Sequence, residues 1–153
     1  MDVIVIYTHE DNHIYRSYFI RLFHEYLSEL VVEINEAYIV EQLFELSYFH
    51  GFICFVDNEP AGFAVCFESY STYRAQKVLN IHDFMVSKAF RGKGIGHALL
   101  QGIEQYCASM GYLKITLEVD SDNMAATRLY KSCGYDDYQR AQKGLLHWQK
   151  YLS

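Results

Sequence analysis

The chain has 153 residues, about half of them apolar and about a fifth charged, with a formal net charge of −6. That length and balance suit one domain, 1–153, around one core, and they exclude a low-complexity or disordered chain. The acidity argues against DNA or RNA as the main partner, and apolar runs such as Gly51 to Val56 are too short to span a bilayer.

The first residues, Met1 to Ile6, lack the basic region and cleavage site of a secretory signal, so a cytoplasmic protein is expected. Cys54, Cys66, Cys107 and Cys133 lie in apolar contexts without metal or redox spacing, which predicts reduced, buried thiols. The seven histidines are scattered along the chain, and no metal is expected. Charge is unevenly spread. Residues 1–70 carry 12 acids and 2 bases, whereas 71–153 carry 7 acids and 11 bases. The acids Glu25, Glu29, Glu33, Glu36, Glu41 and Glu45 suit either a solvated helix surface or a face turned toward a cation.

In chain order, Val3 to Tyr7 reads as a short strand. Asp11 or Asn12 can cap a helix to about Leu27, with Ile20, Phe23 and Leu27 on its apolar side. Asn35 can cap a second helix carrying Ile39, Leu43, Leu46 and Phe49, with Gly51 as its stop. Phe52 to Val56 and Ala61 to Glu68 form a hairpin through Asp57-Asn58-Glu59-Pro60. A polar loop, Ser71 to Gln76, precedes a strand from Lys77 to Val86. Ile95, Leu99, Ile103 and Cys107 step by four along a helix that ends at Gly111. Leu113 to Val119 is a strand. Ser121 or Asp122 caps a helix through Cys133, closed by Gly134-Tyr135. Tyr135 to Tyr138 and Leu145 to Leu152 read as two last strands. The order predicts a mixed-sheet α/β domain with antiparallel strands at its centre.

Arg91-Gly92-Lys93-Gly94-Ile95-Gly96 sits between a strand and a helix. Glycines let backbone N–H groups approach an anion, and the helix N-terminus adds positive potential. The segment is neither a P-loop, which needs GxxxxGK[ST], nor a dinucleotide fingerprint. On its own it reads as a phosphate cradle or as a tight packing turn.

About thirty residues later stands Asn123, Ala126, Leu129, Tyr130 and Gly134, in the pattern N-x-x-A-x-x-L-Y-x-x-x-G. With Arg91, Gly94 and Gly96 as R-x-x-G-x-G, the chain resembles the GNAT superfamily of N-acetyltransferases over essentially its whole length. The resemblance implies the acyl-CoA N-acyltransferase fold: a mixed, mostly antiparallel sheet of about seven strands flanked by four helices. It implies acetyl-CoA as donor and an amine as acceptor. The run Leu79 to Val86 also resembles the polyamine and diamine acetyltransferase branch, with His82 where that branch has a glutamate.

The resemblance further implies roles. Arg91 and the backbone of Gly92, Lys93, Gly94, Ile95, Gly96 and His97 would hold the CoA pyrophosphate. Phe84, Met85 and Val86 would pair with the pantetheine arm, one N–H polarising the thioester carbonyl. The strand Leu113–Val119 would then have to splay away. Asn123 would touch the arm or simply cap its helix. Tyr130 would protonate the leaving thiolate, since a phenol titrates near ~10 and a thiol near ~8.5.

The attacking amine must lose a proton. Candidates to take it are His82, Glu118, Asp120 and an ordered water. Strict alternation turns Asp83 away from His82 unless a bulge intervenes. Tyr26, Tyr70 and Tyr73 could rim a cationic acceptor or be ordinary surface and core residues. His147 and Trp148 would face opposite sides of a last strand, one toward the core and the other toward a homodimer partner or the acceptor. The rival to an enzyme is a non-catalytic acyl-CoA sensor.

Overall fold

The computed structural model describes residues 1–8, 13–31, 33–137 and 148–152. They fall into two compact units, Met1–Glu118 and Val119–Ser153.

The first unit is a five-stranded sheet in the order β1-β2-β3-β4-β5. Its strands are β1 (Val3–Tyr7), β2 (Phe49–Val56), β3 (Glu59–Ser71), β4 (Gln76–Val86) and β5 (Lys114–Leu117). The pairs from β1 to β4 are antiparallel, and β4 and β5 run parallel. The helices of this unit are α1 (His13–Glu29), α2 (Glu36–Glu45) and α3 (Ile95–Ser109). The expected caps Asp11 and Asn12 lie outside the described residues. Asn35 does cap α2, its side chain accepting from the Tyr38 N–H at 3.1 Å.

On one sheet face, Phe19, Phe23 and Leu27 of α1 and Val40 of α2 pack with Phe49, Phe63, Val65 and Met85. Phe19 is fully buried and meets Phe44, Phe49 and Phe63 edge to face. Truncating such a residue to alanine costs about 3–5 kcal/mol. Against the other face, α3 buries Ile95, Leu99, Leu100, Ile103 and Cys107, as its four-residue spacing predicts. Gly102 makes that approach possible, since a Cβ there would meet the Val5 side chain at 2.6 Å.

A polar cluster joins β2, β3 and the segment after α3. The His50 ring lies between Tyr7 Oη at 2.6 Å and Glu68 Oε1 at 3.0 Å, and Tyr112 Oη donates to Glu68 at 2.7 Å. Burial works to raise the Glu68 carboxyl. The bonds from Tyr112 and His50 and the charge of Lys77 outweigh it, so Glu68 titrates below its usual range.

Several features differ from the sequence expectation. The second helix stops at Glu45, and Phe49 and Gly51 belong to β2, paired with Phe67 and Val65. Phe49 fits helical spacing, but its wholly buried strand has aromatic partners on β3, and that tertiary pairing wins. The β2–β3 turn is formed by Asp57 and Asn58, both at positive φ, and Pro60 sits beside a register shift, a place in a sheet that tolerates proline. The sheet has five strands among the described residues rather than about seven. The described parts of the two expected last strands, 135–137 and 148–152, are not strands, and 138–147 with His147 lie outside the described residues. Trp148, Tyr151 and Leu152 are exposed. Alternation alone makes no strand without a paired edge and a face to bury.

The second unit contains α4 (Met124–Ser132). Its cap is Asn123 rather than Ser121 or Asp122, with Asn123 Oδ1 accepting from the Ala126 N–H at 3.1 Å. Gly134, at φ 90°, closes it in a Schellman pattern, the Tyr135 N–H reaching the Tyr130 carbonyl at 3.0 Å. No described helix in either unit is long and apolar enough to cross a membrane.

Candidate active site

The glycine segment joins β4 to α3 through a 3-10 turn, Lys88–Phe90. Gly92 and Gly94 have φ of 76° and 77°. A Cβ at either would meet open space, so glycine is required for its backbone angle and not for room. Gly94 is the N-cap of α3 and offers no side chain to bond the first-turn N–H groups. Those of Ile95, Gly96 and His97 therefore head a buried helix at the end of β4, the arrangement that receives anions. Lys93 lies over the Phe90 ring, 5.8 Å from its centre.

Arg91 is exposed but engaged. Its Nη2 donates to both carboxylate oxygens of Glu29, at 2.7 and 2.8 Å, and its Nε donates to the Val86 carbonyl at 2.9 Å. The Arg91 guanidinium ties the loop to α1.

The β4–β5 ladder runs from Val78↔Lys114 to Ile81↔Leu117, where β5 ends. β4 continues for five more residues, His82 to Val86, still paired with β3. The strand expected over Leu113–Val119 thus ends at Leu117, and no β5 ladder accompanies His82 to Val86.

Beside that point β4 carries a bulge. Val65 pairs with Asp83 and Cys66 with Ile81, leaving His82 as the extra residue. The bulge cancels one alternation. The Asp83 carboxylate meets the Tyr26 hydroxyl of α1 at 3.1 Å, and the His82 ring lies tilted against Phe67 at 5.3 Å between centres, Phe67 itself packing on the α1–α2 core. Both side chains therefore stand on the same sheet face, contrary to the strict alternation expected from sequence. Burial pushes the Asp83 carboxyl above its usual range, and His82 and the Tyr26 hydroxyl pull it only part of the way back.

Other candidates are scattered. Tyr26 packs edge to face on Phe63, whereas Tyr70 and Tyr73 are exposed at the far β3–β4 turn, so the three form no common rim. Glu118 is exposed just past β5. Asp120, in the second unit, accepts from the Asp122 N–H at 2.9 Å and shapes the approach to α4. Tyr130, also in that unit, is buried and meets Tyr135 at 6.1 Å between ring centres. Burial pushes the Cys54 thiol up to about 11 and Cys107 to about 12, which makes them poor nucleophiles.

Residues 12–135 match the acetyltransferase (GNAT) family. The chain belongs to that family. These residues make an acetyl-CoA-dependent acetyltransferase domain. An uncharacterized N-acetyltransferase of Methanocaldococcus jannaschii is 33% identical over 102 residues, 66% of this chain and 45% of that protein. The acetyltransferase domain thus spans under half the length of this relative. The thialysine N-epsilon-acetyltransferase of Caenorhabditis elegans is 27% identical over 109 residues, 71% of this chain and 68% of that one. An aminoglycoside acetyltransferase from an uncultured soil metagenomic sample, in complex with sisomicin, superposes with a TM-score of 0.79 at 18% identity, covering 99% of this chain and 97% of its own.

Two groups were missed or set aside by the sequence. Glu25 and Glu29 read equally as surface acids, although their four-residue spacing near the end of a helix was a usable signal. Asp83 was set aside because a bulge leaves no local trace in the residue pattern.

Proposed function

We propose that this acetyltransferase carries the acetyl group of acetyl-CoA directly to the neutral amine of a small cationic acceptor, lysine-like or polyamine-like. The observation that carries the reading is that β5 leaves β4 at Ile81, two residues before Asp83 and ten before the glycine loop begins at Arg91. The backbone of Gly92 to His97, with Lys93, would hold the pyrophosphate. Phe84, Met85 and Val86 would receive the pantetheine arm along the stretch that β5 no longer accompanies, and one of their N–H groups would bear on the thioester oxygen. Acetyl-CoA supplies the activated acetyl group.

The acceptor end rests on β4. Asp83, half-buried on the α1 side, is the anchor for an ammonium group, whose charge offsets the cost of keeping a carboxylate there. His82, on the same face through the bulge, takes the proton of the attacking amine. Tyr130 protonates the departing sulfur, and Asn123 caps the helix that carries it. The acidic first half of the chain and the ε-amine in the nematode relative's name both favour a cationic acceptor.

Thiol release from acetyl-CoA across a panel of diamines, lysine, an aminoglycoside and a peptide N-terminus tests this. Turnover with the cationic small amines is expected. Coenzyme A binding without turnover on any amine would replace the enzyme with an acyl-CoA sensor.

A further inference from the structure

Helix α1 reaches the β4–loop segment at three places within five residues. Tyr26 donates to Asp83. Glu25 takes the Ser87 hydroxyl on one carboxylate oxygen at 2.8 Å and the Lys88 N–H on the other at 3.0 Å. Glu29 holds Arg91 with both oxygens. Glu25 and Glu29 are one helical turn apart, so both face the segment together. Between them they fix the start and the end of the 3-10 turn. The Ser87 N–H is itself bonded to the Ala61 carbonyl at 2.7 Å, which makes this lead-in the place where sheet, helix and loop are joined.

The placement is electrostatically unexpected. Two carboxylates stand beside a loop that the family reading assigns to a polyanion, where they raise the local negative potential. The bonds give them a different use. We infer that Glu25 and Glu29 are positioning residues for the coenzyme A loop: they latch Ser87, Lys88 and Arg91 to α1 and so hold the backbone of Gly92 to His97 in its anion-binding form. The same helix carries Tyr26 against Asp83, so the latch also ties the cofactor loop to the wall of the acceptor site. This inference rests on the proposed acetyl-CoA reading.

The sign of the effect separates the latch from plain electrostatics. Removing an acid near an anion site tightens anion binding if charge alone matters, and weakens it if the acid holds the site in shape. Calorimetry with coenzyme A should show binding by Glu25→Gln and Glu29→Gln weakened about three- to tenfold, a loss that appears in the KM for acetyl-CoA more than in kcat. Glu41→Gln, which removes an exposed acid of α2, serves as the charge control and should bind as the parent does. Glu29→Asp keeps the charge but cannot reach Arg91 with both oxygens, and should weaken binding as Glu29→Gln does. Because the Arg91–Glu29 pair is partly exposed, melting temperatures should stay near that of the parent. Unchanged or tighter binding by both glutamine variants overturns the latch, as does parental affinity in Glu29→Asp. If the parent chain itself binds no coenzyme A, the functional reading fails and the latch with it.

Discussion

The hydroxyl of Tyr26 donates to Asp83 across 3.1 Å, joining α1 to the strand that passes between the glycine loop and the end of β5. The contact depends on the bulge at His82. Under strict alternation from Ile81, with His82 in the ladder, Asp83 would point to the opposite sheet face, away from Tyr26.

Asp83→Asn should raise the KM for a cationic amine about tenfold, equivalent to ~1.4 kcal/mol, without changing coenzyme A affinity. It should also stabilise the fold at neutral pH. Burial raises the Asp83 carboxyl in the folded state. Its contribution is therefore fully present below the unfolded carboxylate range and is lost as pH rises through the raised folded value. The asparagine variant should lack that decline. Melting temperature followed from pH 4 to 7 checks it, and parallel curves for both proteins would remove the argument.

For Tyr130→Phe the expected loss is about a hundredfold in kcat with coenzyme A affinity within about twofold of the parent. Steady-state kinetics beside calorimetry separates the two quantities. Equal turnover would leave Tyr130 as a packing residue against Tyr135.

His82→Gln should lower kcat/KM by about ten- to a hundredfold with coenzyme A affinity unchanged, on the order expected for a lost general base. Turnover equal to the parent's would assign the proton to another group.

Gly94→Ala places a side chain at φ 77°, where the strain is about 1–2 kcal/mol although the Cβ has open space. Coenzyme A binding should fall further than stability does, because the backbone there must meet the ligand closely. Denaturant melts set against calorimetric affinities make the comparison.

Acid should loosen the cluster around His50. Glu68 titrates below its usual range because its partners outweigh its burial. The stability it contributes is present above the unfolded value and disappears as pH falls through the folded one. Glu68→Gln should therefore cost about 1–3 kcal/mol at pH 7 and flatten the loss between pH 5 and 3, as measured by denaturant melts. In the same variant the Tyr112 phenol, held high by burial and by the Glu68 charge, should titrate lower.

The sequence by itself determined the features that depend on near neighbours. Asn35 caps α2 because its side chain reaches an N–H three residues on. Ile95, Leu99, Ile103 and Cys107 make a buried face because they recur at the helical period. Gly92 and Gly94 take left-handed angles, and the two spaced motifs identify the family. Only the tertiary structure decided the rest. Phe49 joined a strand because aromatic residues on β3 lay opposite. Arg91 met Glu29 across 62 residues of chain. His82 and Asp83 came to one face because β3 and β4 slip register between Val65 and Cys66. Pairing register, the end of a ladder and long-range ion pairs are set by which surfaces come together on folding, and local spacing carries no record of that choice.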